Sequence, residues 1–170
     1  MSYKTIRNRT EASFTEKKSE FIGYISPAGT EEEAIGFINE IRAMHRKATH
    51  NCYAYILRNN NTGRHSDDGE PGGTAGMPIY DVLSKNGITD VVCVVTRYFG
   101  GILLGTGGLV HAYSKGASMA LANAEIVNME VADSLKISCD YTMYGIVNSV
   151  LSEFESIIRD TEFTDSVCIY

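Results

Sequence analysis

Three short stretches of the chain gather side chains that could do chemistry. HNCYAY sets His50 two residues from Cys52, with His45 before them and His65 after. SDDGEPGGTAG carries Ser66, Asp67, Asp68 and Glu70 in one turn. RYFGGILLGTGGLVHAYSK places Arg97 and Tyr98 ahead of Gly100, Gly101, Gly105, Gly107 and Gly108, with Lys115 beyond them. Clustered carboxylates can hold a hard cation or move protons, a histidine beside a cysteine can activate a thiol, and glycine-rich turns before a helix can cradle phosphate.

Each pattern is narrowed by its spacing. Gly100 and Gly105 are spaced as in a Walker A loop, but Thr106 stands where the phosphate-binding lysine belongs. Gly105-Thr106-Gly107 is followed by Val110 where a dinucleotide fingerprint needs a third glycine. Two readings remain for this stretch: backbone N–H groups of Gly107 and Gly108 receiving an anion at a helix start, or glycines serving tight loop packing. The acidic turn lacks the alternation of a calcium loop, so metal binding or acid/base work competes with capping of the next turn and pairing with a cation, for which Arg97 is the candidate. The spacing of His45, His50, Cys52 and His65 matches no compact zinc pattern, and Cys52 lies in an apolar strand. The residues therefore predict no catalytic group, no metal and no cofactor.

The elements that must position these stretches follow from periodicity. Phe21 to Ile25 reads as a strand closed by Pro27 and Gly29. Thr30 and Glu33 form a capping-box pattern, and Ala34, Ile35, Ile38, Ile41 and Met44 then recur at helical spacing, which predicts a helix over about residues 31–47. NCYAYILR (51–58) is a strand, and NNNTGRHSDDGEPGGTAG is loop by its turn residues. Pro78 opens a helix closed by Asn86-Gly87. DVVCVVTRYF is apolar at consecutive positions, as in a strand covered on both faces. From Gly108 a helix carries the apolar stripe Leu109, Tyr113, Ala117, Ala120, Leu121 and Ala124. The order β-α-β-loop-α-β-loop-α is followed by EIVNMEVADS, a short strand or linker, and by a β-α-β-β unit over residues 135–170.

With 170 residues, 44% hydrophobic and 21% charged, the chain has an ordinary globular composition. No apolar run approaches a membrane span, and the N-terminus has no signal-like apolar segment, which predicts a cytoplasmic protein. Four dispersed cysteines suit reduced core thiols. The net charge of −6 is uneven: residues 1–134 carry 13 basic and 15 acidic groups, and residues 135–170 carry 2 and 6. A globally cationic nucleic-acid surface is excluded, leaving room for a local basic patch.

Taken together, HNCYAY (50–55), SDDGEPGGTAG (66–76) and VVTRYFGGILLGTGGLVHAYSKGA (94–117) closely resemble the motifs of the YigZ/IMPACT family, in the family's order, over about residues 15–125. The resemblance implies a bacterial-type member lacking the N-terminal extension of eukaryotic relatives. The implied fold is α+β: residues 1–134 would share the fold of a small-subunit ribosomal protein's second domain and of elongation factor G domain four. Residues 135–170 would form the first β-α-β-β part of a ferredoxin-like domain, stopping before its closing helix and strand. The implied function is that of a cytoplasmic translation- or RNA-associated binding or regulatory protein without catalysis. Its expected partner is RNA, the ribosome or a translation-related protein, with no membrane. Eukaryotic relatives regulate translation by competing for the activator of a kinase that phosphorylates an initiation factor, through the extra domain. Carried over position by position, the shared surface comprises His50, Asp67, Asp68, Glu70, Arg97, Tyr98, Gly100, Gly101, Gly105, Gly107, Gly108 and Lys115. Met77 and His111 stand where many relatives carry basic residues, which lowers positive charge beside the expected groove.

In the leading reading Arg97 grips phosphate while Tyr98 stacks on a base, aided by Lys115 and the Gly105–Gly108 backbone. The alternative is a small hydrolase or transferase in which Asp67, Asp68 or Glu70 acts near His50, and it requires these groups to converge. An incomplete second module also predicts poor cover for Ile157, Phe163, Val167 and Ile169, and self-association or disorder of residues 135–170.

Overall fold

The computed structural model describes residues 2–59, 62–154 and 156–170. Asn60 and Asn61, expected in a loop, and Glu155, expected near a helix end, lie outside the described residues. The chain is a mixed α+β protein that divides into two units, Met1–Glu130 and Val131–Tyr170. The first contains β1 (Tyr3–Ile6), β2 (Thr10–Glu16), β3 (Ser19–Pro27), α1 (Glu31–Met44), β4 (His50–Leu57), β5 (Thr62–Ser66), α2 (Gly76–Lys85), β6 (Val91–Tyr98), α3 (Gly105–Ala122) and β7 (Ile126–Met129). The second contains β8 (Ile137–Cys139), α4 (Tyr144–Leu151), β9 (Thr161–Phe163) and β10 (Val167–Ile169).

The main sheet has the order β2-β3-β6-β4-β5, with every neighbouring pair antiparallel. Its central strand, β6, is buried from Val91 to Arg97 because the sheet is covered on both faces. Val91, Cys93 and Val95 pack with α2 and α3 residues such as Ile79, Leu83, Tyr113 and Ala117, whereas Val92 and Val94 pack with Ala34, Phe37, Ile38 and Ile41 of α1. Alternation along the strand thus sends successive apolar residues into two cores, each fully buried side chain contributing about 1.5–3 kcal/mol.

The helix ends follow local chemistry. Glu33 N–H donates to Thr30 Oγ1 (3.2 Å), and Glu33 Oε2 accepts from Gly29 N–H (2.7 Å), so the expected capping residues start α1. The loop expected over residues 59–76 contains β5, which pairs with β4 as an edge strand. The N-terminal segment adds β2 beside β3, and β1 pairs with β7 in a separate ribbon. Among the described residues, no helix is long and apolar enough to cross a membrane.

In the second unit β10 lies between β8 and β9 and is antiparallel to both. This corrects part of the expectation for that unit. Val167 and Ile169, which share one face of the central strand β10, are buried, while Ile157 and Phe163 are 88% and 56% exposed.

Candidate functional site

The acidic turn leaves β5 and folds back under β4. Asp67 accepts from the backbone N–H groups of Gly73 (2.8 Å), Ala75 (3.0 Å) and Gly76 (2.8 Å), which anchors the start of α2. Burial alone would raise its carboxyl, but these backbone donors outweigh burial and hold it below its ordinary value of 3.8. Asp68, in the left-handed region at φ 45°, accepts from Asn51 N–H (2.7 Å) and from Arg42 (2.7 Å). Two of the three carboxylates therefore hold the turn together.

Glu70 points inward. Its Oε1 accepts from Arg97 Nη1 at 2.6 Å and from the Tyr113 hydroxyl at 2.7 Å, and His50 Nε2 lies 3.8 Å away. Both Glu70 and Arg97 are buried. Burial, followed by the neighbouring Cys52 and Glu70, pushes the Tyr113 phenol far above its ordinary range, so it stays a donor. The Arg97 guanidinium lies between the rings of Phe21 and Phe99, at 5.5 and 5.4 Å from their centroids, and its Nη2 reaches Ser19 Oγ at 3.4 Å. Its Nε is buried and has no hydrogen-bond partner among the described residues.

Arg97, His50 and Glu70 line a cavity of about 470 Å³ whose other walls include Pro71, Leu104 and Leu109. The start of α3, at Gly105 and Thr106, opens onto the same space. This helix begins three residues earlier than its apolar stripe predicts, and among the described residues no side chain caps it, so its first N–H groups stay unclaimed by a cap. Gly105 has φ +75°, a conformation that any side chain would strain, and it turns the chain from the Phe99–Leu104 loop into the helix. A larger cavity of about 600 Å³ lies beside α1, where Arg9 is already paired with Glu40 at 3.0 Å.

The structure brings His50, Glu70, Arg97 and the start of α3 at Gly105 and Thr106 together, but it separates Arg97 from Tyr98. Successive strand residues face opposite sides, so Arg97 enters the α2/α3 side while the Tyr98 hydroxyl bonds His45 Nδ1 at 2.8 Å. Tyr24 closes that chain through His45 Nε2 at 2.7 Å, and burial followed by Glu11 pushes its phenol up to about 12. A joint grip by Arg97 and stacking by Tyr98 on one ligand is therefore corrected by strand geometry. Lys115 is half-buried, its Nζ 4.3 Å from the Phe14 ring centroid. Gly100 packs against the β2–β3 turn, and Gly101 is exposed at φ +83°. Cys52 is buried with its thiol pushed up by desolvation, and its Sγ donates to Asp67 O at 2.9 Å.

A second cluster was not visible in the motifs. β3 starts, β4 starts and β6 ends at one end of the sheet, since Glu20 pairs with Tyr98 and His50 with Arg97. The β2–β3 turn brings Lys17 and Lys18 there, and the α1–β4 loop brings Arg46 and Lys47; all four are exposed. Among the described residues none of the four is in an ion pair, although Glu16 and Glu20 lie beside the turn. Phe99, 46% exposed, projects from the same end, and its N–H donates to Thr49 Oγ1 at 3.0 Å. Recognising β2 in TEASFTE would have exposed Lys17-Lys18 as a hairpin tip.

The Impact N-terminal domain matches residues 17–121. The chain is 40% identical over 167 residues to the IMPACT family member YvyE of Bacillus subtilis, covering 98% of this chain and 77% of that protein. It is 35% identical over 150 residues to the IMPACT family member YigZ of Escherichia coli, covering 86% and 74%. A crystal structure of a hypothetical protein superposes with TM-score 0.73 at 32% identity, over 99% of this chain and 83% of that one. The match spans the acidic turn, the β6–α3 loop and the strands that hold them, and the chain belongs to the IMPACT family.

Proposed function

We propose that the protein is a cytoplasmic, translation-associated binding protein that holds single-stranded RNA at the end of its main sheet. The reading is carried by one observation: Lys17, Lys18, Arg46 and Lys47, none of them in an ion pair among the described residues, are exposed at the end of the sheet where Phe99 leaves β6. Cations tracking a backbone beside an aromatic face suit single strands and need no fixed sequence. Family membership supports the translation setting that the resemblance implies. We read the first unit as the ribosomal-protein and elongation-factor-G domain-four fold. The second is the opening part of a ferredoxin-like fold, a reading supported by β10 lying between β8 and β9.

The test is binding of a short single-stranded RNA with a 5′-hydroxyl, measured against salt. Native protein should lose affinity steeply, and Lys17→Glu with Lys18→Glu, or Arg46→Glu with Lys47→Glu, should flatten the slope by about 0.7 for each phosphate contact removed. Equal, salt-insensitive binding by all forms would reject the reading.

A second reading, a small hydrolase or transferase, is favoured by the convergence it required, since Glu70 meets Arg97 at 2.6 Å with His50 nearby. Turnover in a screen of phosphate and carboxylate esters, abolished by His50→Ala, would establish it; no turnover would leave a binding site.

A further inference from the structure

We propose that the cavity between the acidic turn and the start of α3 binds a phosphate monoester. Donors and acceptors meet there. On the donor side are the N–H groups at the start of an 18-residue helix that no side chain caps among the described residues, and the Arg97 guanidinium, 95% buried at the wall of the same cavity, whose Nε has no partner among the described residues. A helix start favours negative charge, and a buried guanidinium nitrogen without an acceptor is costly to leave empty-handed. On the acceptor side is His50. Its Nδ1 lies 2.8 Å from the Asp68 carbonyl, which can only accept, so Nδ1 carries the hydrogen, and in the uncharged form of the ring Nε2 keeps a lone pair. Glu70 stands 3.8 Å behind that nitrogen.

This pairing selects among anions. A carboxylate, a sulfate ester or a phosphodiester in its ionised form can only accept, and each would face His50 Nε2 and Glu70 with lone pairs opposed. The monoanion of a phosphate monoester accepts from α3 and Arg97 while its P–OH donates to His50 Nε2. The Glu70 charge disfavours the dianion, and Leu104, Leu109 and Pro71 offer apolar cover for the organic group. The proposal concerns binding, holds with or without turnover, and does not use the cations at the sheet end.

Phenyl phosphate titrated into the full chain, followed by amide NMR, should shift Thr106, Gly107 and Gly108. Thr106→Glu places a carboxylate in the first turn of α3, where the helix dipole tolerates it, so it should keep or raise the melting temperature while weakening phenyl phosphate about tenfold or more. His50→Ala and the replacement of phenyl phosphate by phenyl sulfate should each weaken binding about tenfold by removing the P–OH contact. A 5′-phosphorylated RNA gaining over its 5′-hydroxyl form, with that gain lost in Thr106→Glu, would identify a strand end as the source; binding of phenyl phosphate alone would identify a small organic phosphate. Unmoved α3 amides with both probes, equal affinity for phenyl sulfate, or native affinity in Thr106→Glu would overturn the proposal. Failure of RNA binding at the sheet end would not touch it.

Discussion

Glu70 Oε1 takes two donors at once, Arg97 Nη1 and the Tyr113 hydroxyl, from elements 27 and 43 residues away along the chain. Removing one member of such a buried pair leaves the other charge uncompensated, so Glu70→Ala should cost about 3–5 kcal/mol in urea unfolding. Tyr113→Phe removes one charge-assisted bond and should cost about 1.5–3 kcal/mol. Glu70→Leu combined with Arg97→Met should cost less than either change alone, because no orphan charge remains. Arg97→Ala would lower RNA binding by loosening the fold, which is why the sheet-end lysines are the proper test of that contact. Asp67 makes a separate prediction. Its carboxyl is held below 3.8 in the folded protein, so its contribution to stability is complete above that value and is lost as pH falls through the lower folded value. Melting temperature should therefore fall from about pH 4 downward in the native chain, and Asp67→Asn should be less stable at neutral pH with a shallower acid decline. The turn residues were legible as a cap with a cation partner. Tyr113 was not, because on sequence it is one apolar position in a helical stripe, and only the fold turns its hydroxyl toward Glu70.

At the scale of elements, what burial patterns write strongly could be read and what they write weakly could not. α1, β4, α2, β6 and α3 carry apolar residues at their own period, and for α1 the capping residues agree with the pattern. β2 and β5 are edge strands whose residues are half-buried or exposed, so TEASFTE and TGRHS show little apolar alternation. The sheet end escaped notice for the same reason, since two of its cations sit at the tip of the unrecognised β2–β3 hairpin. That hairpin also explains Gly100. A Cβ there would lie 1.9 Å from the Lys18 carbonyl oxygen, so Gly100→Ala should push the β6–α3 loop off the hairpin and cost more than about 2 kcal/mol. Gly36, on the exposed face of α1, would meet nothing within 4 Å. Gly36→Ala should stabilise by about 0.4–1 kcal/mol through helix propensity and a less flexible unfolded chain. Thermal unfolding of the two variants side by side distinguishes close packing from backbone freedom as the reason for each glycine.

The whole molecule joins two units with opposite surface problems. The first presents exposed cations at one sheet end, whereas the second exposes Leu135 at 72%, Phe154 at 67% and Ile157 at 88% and carries a cavity of about 400 Å³ whose lining includes Leu135, Leu151 and Ile157 beside Asp133 and Arg159. Apolar surface of this kind is stabilised by a covering partner, and a second copy presents the same surface in a self-complementary way. Residues 135–170 also carry 6 acidic groups against 2 basic ones, so two copies brought together repel. Salt shortens the reach of that repulsion from about 10 Å at 0.1 M to about 3 Å at 1 M, and leaves apolar burial intact. Self-association should therefore strengthen as salt rises, the reverse of RNA binding, which weakens as counterions compete for phosphate. Light scattering on the full chain across a salt series should show mass rising with ionic strength, and Ile157→Lys or Phe154→Lys should hold the chain monomeric throughout. A native chain that stays monomeric at every salt concentration, with these side chains still open to solvent, would show that the exposed face of the second unit does not join copies.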